Sequence, residues 1–341
     1  MSGKQIPQPL VSILLPVYNG SPYLNVVINS ILSQSFQDFE LIIINDGSTD
    51  DSESVIKKIS DSRIRYVQQQ NHGLPATLNL ALGLACGEFI ARQDQDDISF
   101  SLRLQRQVEF LTANPDVGMV GTNAEIWVDN AKTERLLEHP ADDASIKFNL
   151  LFDNPFVHSS VMIRRSVFDK IGGYSEDKAR QPPEDYELWS RVAREFKVAN
   201  LPEVLLAYCE VPGSMSRSGL NPFLNRLIKI SAENIAWYSG RDIASPEVVA
   251  ISKLVHGVYE EIPSGISIFR METVIRNAAI NITQKSGVTS NHLDALLKMR
   301  LTMLRYHYFQ YRTGVRSGLF LGSRLGRYAK SILRRIILGI H

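Results

Sequence analysis

The 341-residue chain is predicted to be an α/β protein on a mostly parallel sheet. Two observations predict this. Short apolar runs alternate with helical stretches of about 10–15 residues over the first hundred positions, the pattern of parallel sheets. Three of the runs end in polar, turn-forming residues, where ligands of such sheets bind.

Leu10 to Leu15 is an apolar run stopped by Pro16, a buried strand. Ser21 to Ser33 places Leu24, Val27, Ile28, Ile31 and Leu32 at helical spacing. Phe39 to Ile44 is a second strand, ending in Asn45-Asp46-Gly47-Ser48-Thr49-Asp50. A helix over 51–59, a strand over 64–68, a helix over 74–85 and a strand over 88–92 follow. Beyond residue 100 the spacing predicts a helix over 102–111, strands over 117–120, 125–128, 157–163 and 204–209, and a helix over 184–196. Trp189 in that last helix reads as core. From about Pro222 the chain is helical in character, with breaks near Ser245-Pro246 and Ile262-Gly265. The division expected is an α/β domain over 1–220 and a helical region over 221–341, with no internal repeat.

The net charge of +1 conceals an asymmetry. The 47 residues after Asp294 carry ten Lys and Arg and no acid, leaving a net charge of −9 before them. An acidic body with a basic tail points to a polyanionic partner. Only Cys86 and Cys209 are present, too few for a disulfide framework, and a reducing compartment is expected. The polar start and the lack of any run of about 20 apolar residues predict a cytoplasmic protein, or one peripheral on the cytosolic face of a membrane.

Chemistry concentrates in Arg92-Gln93-Asp94-Gln95-Asp96-Asp97, where a β-prone stretch ends in three acids. Packed carboxylates need a compensating cation, and oxygen ligands of this kind suit Mg²⁺ or Mn²⁺ shared with phosphate. A solvated turn capping a helix near Phe100 is the other reading.

Six ordered blocks resemble the family 2 glycosyltransferases. They are Val11 to Asn19; Ile42 to Asp50; Asn71-His72-Gly73 with Ala85 to Ile90; Asp94 to Asp97; Phe156 to Arg165 with Gly172-Gly173-Tyr174; and Pro183 to Trp189. The resemblance covers roughly 11–215 and implies a GT-A fold, a Rossmann-like nucleotide-sugar-binding domain. It also implies transfer of one sugar from a UDP- or dTDP-sugar to an acceptor hydroxyl, with inversion. In it Asp96 coordinates Mn²⁺ or Mg²⁺ directly, with Asp94 nearer the ribose and also counted as a metal residue. Asp97 holds a metal-bound water or caps the next helix. Asp46 faces the uracil N3–H, and an ionised carboxylate, which only accepts, favours uracil or thymine over cytosine. An Asx-turn is the alternative for Asp46. Pro16 and Tyr18 flank the base or ribose. Asp185 is the general base and Glu184 the second candidate, although acids there also complement a helix dipole. His158 contacts phosphate or acceptor, or is structural, and Arg217 contacts the diphosphate.

The chain departs from the family at two places. Leu78-Asn79 stands where members often carry Arg-Asn, and Arg92-Gln93 precedes the acids where many are apolar. The Gln-x-x-Arg-Trp signature of processive synthases is absent, which fits single-sugar addition.

The tail over 309–341 mixes apolar residues with arginines, as in a basic amphipathic helix on an anionic membrane. A helix packed on the body or in a homo-oligomer is the alternative, and nucleic acid is not expected. The expected partners are the donor and a glycan or lipid-linked acceptor in cell-surface glycan synthesis. A non-catalytic nucleotide-sugar-binding protein of the same fold is the runner-up. A dinucleotide oxidoreductase is disfavoured because no Gly-x-Gly-x-x-Gly follows the first strand.

Overall fold

A computed structural model describes residues 8–129, 131–211, 223–287 and 291–314. The chain divides into two compact units. The first comprises Met1–His139, Phe156–Lys178 and Arg191–Gly219; the second comprises Pro140–Pro155, Ala179–Ser190 and Leu220–His341.

The first unit is built on β1 (Val11–Val17), β2 (Phe39–Asp46), β3 (Ile64–Gln69), β4 (Phe89–Arg92), β5 (Ile98–Ser99), β6 (Val117–Val128), β7 (Ala131–Leu137), β8 (Met162–Arg164) and β9 (Lys197–Glu210). They form one sheet in the order β3-β2-β1-β4-β8-β6-β9-β5, with β7 paired to β6. β3, β2, β1 and β4 run parallel, so their carboxyl ends share one edge. β8 is antiparallel to both β4 and β6. All seven residues of β1 are buried, as expected of a strand covered on both faces.

The helices of this unit include α1 (Ser21–Leu32), α2 (Ser52–Lys57), α3 (Leu74–Leu84) and α4 (Arg103–Ala113). α1 begins with Pro22 in its first turn, where a missing N–H costs nothing. Its buried stripe of Leu24, Val27, Ile28 and Ile31 joins Ile13, Leu15, Leu41 and Ile43 in one core. Burying each such side chain contributes about 1.5–3 kcal/mol.

Two sequence expectations shift. The strands over 117–120 and 125–128 are one strand, β6, continuous through buried Thr122 and Asn123. Their polar groups are met: the Thr122 N–H donates to Ser160 Oγ at 3.1 Å and Asn123 Nδ2 to the Pro202 carbonyl at 3.0 Å. The strand expected over 157–163 is a 3₁₀ turn, His158–Ser160, before the short β8. Ser160 Oγ returns to the Val157 carbonyl at 2.8 Å, a local bond that competes with strand pairing.

In the chain order, α5 (Asp143–Asn149), α6 (Arg165–Ile171) and α7 (Glu184–Glu195) precede α8 (Leu224–Ser239), α9 (Pro246–Val255), α10 (Ile268–Ser286) and α11 (Asn291–Thr313). α5 and α8 to α11 lie in the second unit, around Phe148, Leu151, Ile235, Ile251, Ile275 and Leu304. α5 is capped by Asp142, whose side chain accepts the Ser145 N–H. Trp189 of α7 is fully buried, as a core residue.

Candidate functional site

Pro16, Tyr18, Asp46, Asp94, Asp96 and His158 all lie in the first unit. Pro16 is the sixth residue of β1, and Tyr18 follows that strand with its side chain half-exposed. Asp46 ends β2, and the acidic loop leaves β4. The Gln93 N–H donates to the Leu14 carbonyl, so the loop continues alongside β1.

Gln95 fixes that course. Its Oε1 accepts the Tyr18 N–H at 2.9 Å and its Nε2 donates to the Tyr18 carbonyl at 3.1 Å. A Cβ on Gly20 would stand 2.5 Å from Gln95 Oε1, so a larger residue there would displace the Gln95 amide. Below the loop, Gln93 Nε2 donates to the Asp97 carbonyl at 2.7 Å. Gln93 Oε1 accepts from Ser99 Oγ and from the fully buried Arg103. Arg103 Nη2 donates to the Arg92 carbonyl at 2.6 Å. The Arg92-Gln93 pair is therefore the floor of the acidic loop.

The three acids differ in environment. Asp94 Oδ1 pairs with Arg92 Nη2 at 2.5 Å, and its Oδ2 lies 2.5 Å from Ser159 Oγ. Burial pushes this carboxyl up, but the Arg92 charge and the hydrogen bonds outweigh it and hold it low. Asp97 is buried, not at a helix cap: α4 starts only at Arg103. Its Oδ1 accepts the Cys209 N–H at 2.8 Å, and its Oδ2 is also 2.5 Å from Ser159 Oγ. Burial and then the Asp94 and Asp96 charges raise Asp97 well above the carboxylate range. Ser159 has one proton for two carboxyl oxygens, so a protonated Asp97 supplies the second. Asp96 is raised to about 7, by burial first and then by the Asp94 charge.

Asp46 accepts Gln69 Nε2 at 2.7 Å and the His72 N–H at 2.9 Å on one oxygen, and the Gly73 N–H at 2.9 Å on the other. A carboxylate offers about four acceptor positions, which leaves one for a ligand N–H. The local side-chain-to-backbone bond of this segment is made by Asn45, whose Oδ1 accepts the Ser48 N–H at 3.0 Å. Gly47 has φ +74°, and a Cβ there would be 2.7 Å from the Asn71 backbone nitrogen. The rest of the motif ties β2 to β1: the Asn19 N–H reaches Ser48 Oγ, and the Ser21 N–H reaches Asp50 Oδ2. Burial raises Asp50, but hydrogen bonds from Ser52 and Ser21 outweigh it and hold it at about 2.

His158 sits on the 3₁₀ turn. Its Nε2 is 3.3 Å from Arg92 Nε and 3.2 Å from Tyr174 Oη. Burial and then the Arg92 charge push its pKa down to about 3, so it is neutral and offers no cationic phosphate contact. Arg217 and the tail beyond Gly314 lie outside the described residues.

Asp185 and Glu184 open α7 and lie in the second unit. Asp185 Oδ2 accepts Asn154 Nδ2 at 2.8 Å, and its Oδ1 accepts the Tyr186 N–H at 2.7 Å. Glu184 is buried. Glu184, Asp185 and Glu187 all stand in the first turn, where negative charge complements the helix dipole.

Among the described residues no three His, Cys, Asp or Glu side chains converge as an all-protein metal cage. The donor set still fits Mg²⁺ or Mn²⁺ in the mode that uses one or two carboxylates plus phosphate. Asp94 and Asp97 are engaged by side chains and backbone, whereas the interactions shifting Asp96 come from its own backbone and from neighbouring charges. Sequence reasoning missed Ser159, Gln95, Gln93 and Arg103. Ser159 is 62 residues from Asp97, and no local pattern marks such a pairing.

The profile described as "Glycosyl transferase family 2" matches residues 12–172. An "Uncharacterized glycosyltransferase" of Haemophilus influenzae is 33% identical over 263 residues, 73% of this chain and 81% of the relative. The "O-antigen biosynthesis glycosyltransferase WbnJ" of Escherichia coli is 33% identical over 207 residues, 58% of this chain and 79% of the relative. Among solved structures, S. aureus TarS 1–349 in complex with UDP-GlcNAc matches with TM-score 0.58 at 18% identity, covering 89% of this chain and 92% of that one. Mannosyltransferase PcManGT from Pyrobaculum calidifontis, in complex with GDP-Man and Mn²⁺, matches with TM-score 0.51 at 17% identity, covering 91% and 88%. The sheet and these likenesses give the fold as the GT-A type with a helical C-terminal region.

Proposed function

The chain belongs to glycosyl transferase family 2 and is a glycosyltransferase, and we propose that it moves one sugar, with inversion, from a UDP- or dTDP-sugar to an acceptor hydroxyl in cell-surface glycan synthesis. The observation that carries this reading is the gathering of Asp46 and the Asp94–Asp97 loop at one sheet edge. Asp46, held from three directions, offers its remaining acceptor position to the N3–H of uracil or thymine. Pro16 and Tyr18 flank the nucleoside. Asp94 stands near the ribose, and Asp96 holds the metal. A bound Mn²⁺ or Mg²⁺ supplies charge stabilisation for the leaving diphosphate.

Asp185 is the general base in this reading. Asn154 and the Tyr186 N–H orient its carboxylate, which takes the proton of the acceptor hydroxyl as that oxygen attacks the anomeric carbon. The displacement inverts configuration and needs no covalent sugar intermediate. Glu184 is the second candidate. The WbnJ relative supports a surface polysaccharide as product, and TarS with UDP-GlcNAc supports a uridine donor. PcManGT with GDP-Man keeps a guanosine donor as a second reading.

Release of nucleoside diphosphate from a panel of UDP-, dTDP- and GDP-sugars, with acceptor-bearing membranes, tests the proposal. Asp185→Asn should lower turnover by about 10²-fold or more while nucleotide binding persists. Full turnover in that variant contradicts the base assignment. No turnover and no nucleotide binding in the unsubstituted protein would favour a non-catalytic relative.

A further inference from the structure

We propose that Arg92 is a positioning residue that withholds Asp94 from the metal and so weakens the binding of a free divalent cation. The inference rests on the nucleotide-sugar reading of the site. It starts from Arg92, a buried guanidinium paired with Asp94.

Arg92 is 2% exposed, and all three of its donor nitrogens are committed. Nη2 pairs with Asp94 Oδ1, Nη1 donates to the Gln93 carbonyl, and Nε faces His158 Nε2 at 3.3 Å. The same His158 nitrogen also meets Tyr174 Oη, at 3.2 Å. Tyr174 is clamped in turn by Asn79: its N–H donates to Asn79 Oδ1 at 2.8 Å, and its carbonyl accepts Asn79 Nδ2 at 2.9 Å. Asn79 of α3 thus anchors Tyr174 beneath His158. The guanidinium is held in place from α3 through Tyr174 and His158.

Two consequences follow for Asp94. Each of its carboxylate oxygens already has a partner, the guanidinium on one and the Ser159 hydroxyl on the other. A dication brought to Asp94 would also face the fixed positive charge of Arg92 in a partly buried setting, where charge repulsion is strong. Asp97 is likewise engaged on both oxygens. Asp96 is left as the one acid of the loop with neither carboxylate oxygen held by another side chain among the described residues. One carboxylate is a weak site for Mg²⁺ or Mn²⁺, which complete their shells with phosphate oxygens and water. The diphosphate supplies both ligands and the negative charge that offsets Arg92.

Calorimetric titration of the full chain with Mn²⁺ alone, and then with UDP present, tests this. The unsubstituted protein should bind Mn²⁺ alone at least about tenfold more weakly than Arg92→Leu, which frees Asp94. Arg92→Lys keeps the charge and should behave as the unsubstituted protein does. If Arg92→Leu does not melt cooperatively, Arg92→Gln carries the same comparison. Free-Mn²⁺ affinity that is equal or weaker in the uncharged variants overturns the inference. That comparison needs no nucleotide, so it is separate from failure of UDP to bind, which would count against the nucleotide-sugar reading instead.

Discussion

The Ser159 hydroxyl joins Asp94 to Asp97 at 2.5 Å each, so the acids of the loop do not stand in one environment. The Asp96 carboxyl is raised from 3.8 to about 7 by burial and the Asp94 charge. Between those values the folded protein holds a proton that the unfolded chain has lost. The stability contributed by this group therefore falls as pH rises through that window. Metal binding must displace the same proton. Mn²⁺ affinity measured with UDP should rise with pH up to about 7 and then level, and Mn²⁺ should raise the melting temperature more at pH 8 than at pH 5.5. A flat profile across that range would show that Asp96 is not at the metal. The acids themselves were legible in the sequence because they follow an apolar strand. Their partners were not, since Ser159 and Cys209 arrive from segments 62 and 112 residues away from Asp97 and are of types that are usually unremarkable.

The early strands were readable because both faces of a parallel sheet are buried, leaving continuous apolar runs. The later ones were not. β6 carries polar residues whose hydrogen bonds come from tertiary neighbours, and β8 is only three residues long. Loop geometry was hidden as well: nothing local shows that Gln95 packs against Gly20. Gly20 does not need glycine for its own backbone, with φ −106°, so Gly20→Ala isolates the close approach. The substitution should push Gln95 off Tyr18 and cost about 1–2 kcal/mol for the two lost hydrogen bonds. Gln95→Ala should cost a similar amount. The double variant should cost little more than either alone, because both remove one interaction. Additive losses in melting experiments would mean that Gly20 and Gln95 act independently.

Across the whole chain, charge is divided between an acidic body and a basic end. No helix among the described residues is long and apolar enough to cross a membrane. Peripheral binding through the basic tail is the proposal that fits this division, at about 1 kcal/mol per cation near an anionic surface. α11 continues to Thr313 and buries Leu301 and Leu304, so a test of the tail must cut after Gly314 to spare the core of the second unit. That truncation should lower binding to phosphatidylserine vesicles at least about tenfold without altering the melting temperature. Unchanged vesicle binding would assign the tail another role. The central claim is the nucleotide site at the sheet edge. Calorimetric titration with UDP, dTDP, CDP and GDP, with and without Mn²⁺, tests it most directly. The account predicts Mn²⁺-dependent binding of UDP or dTDP and little binding of CDP; equal binding of all four, or of none, would contradict it.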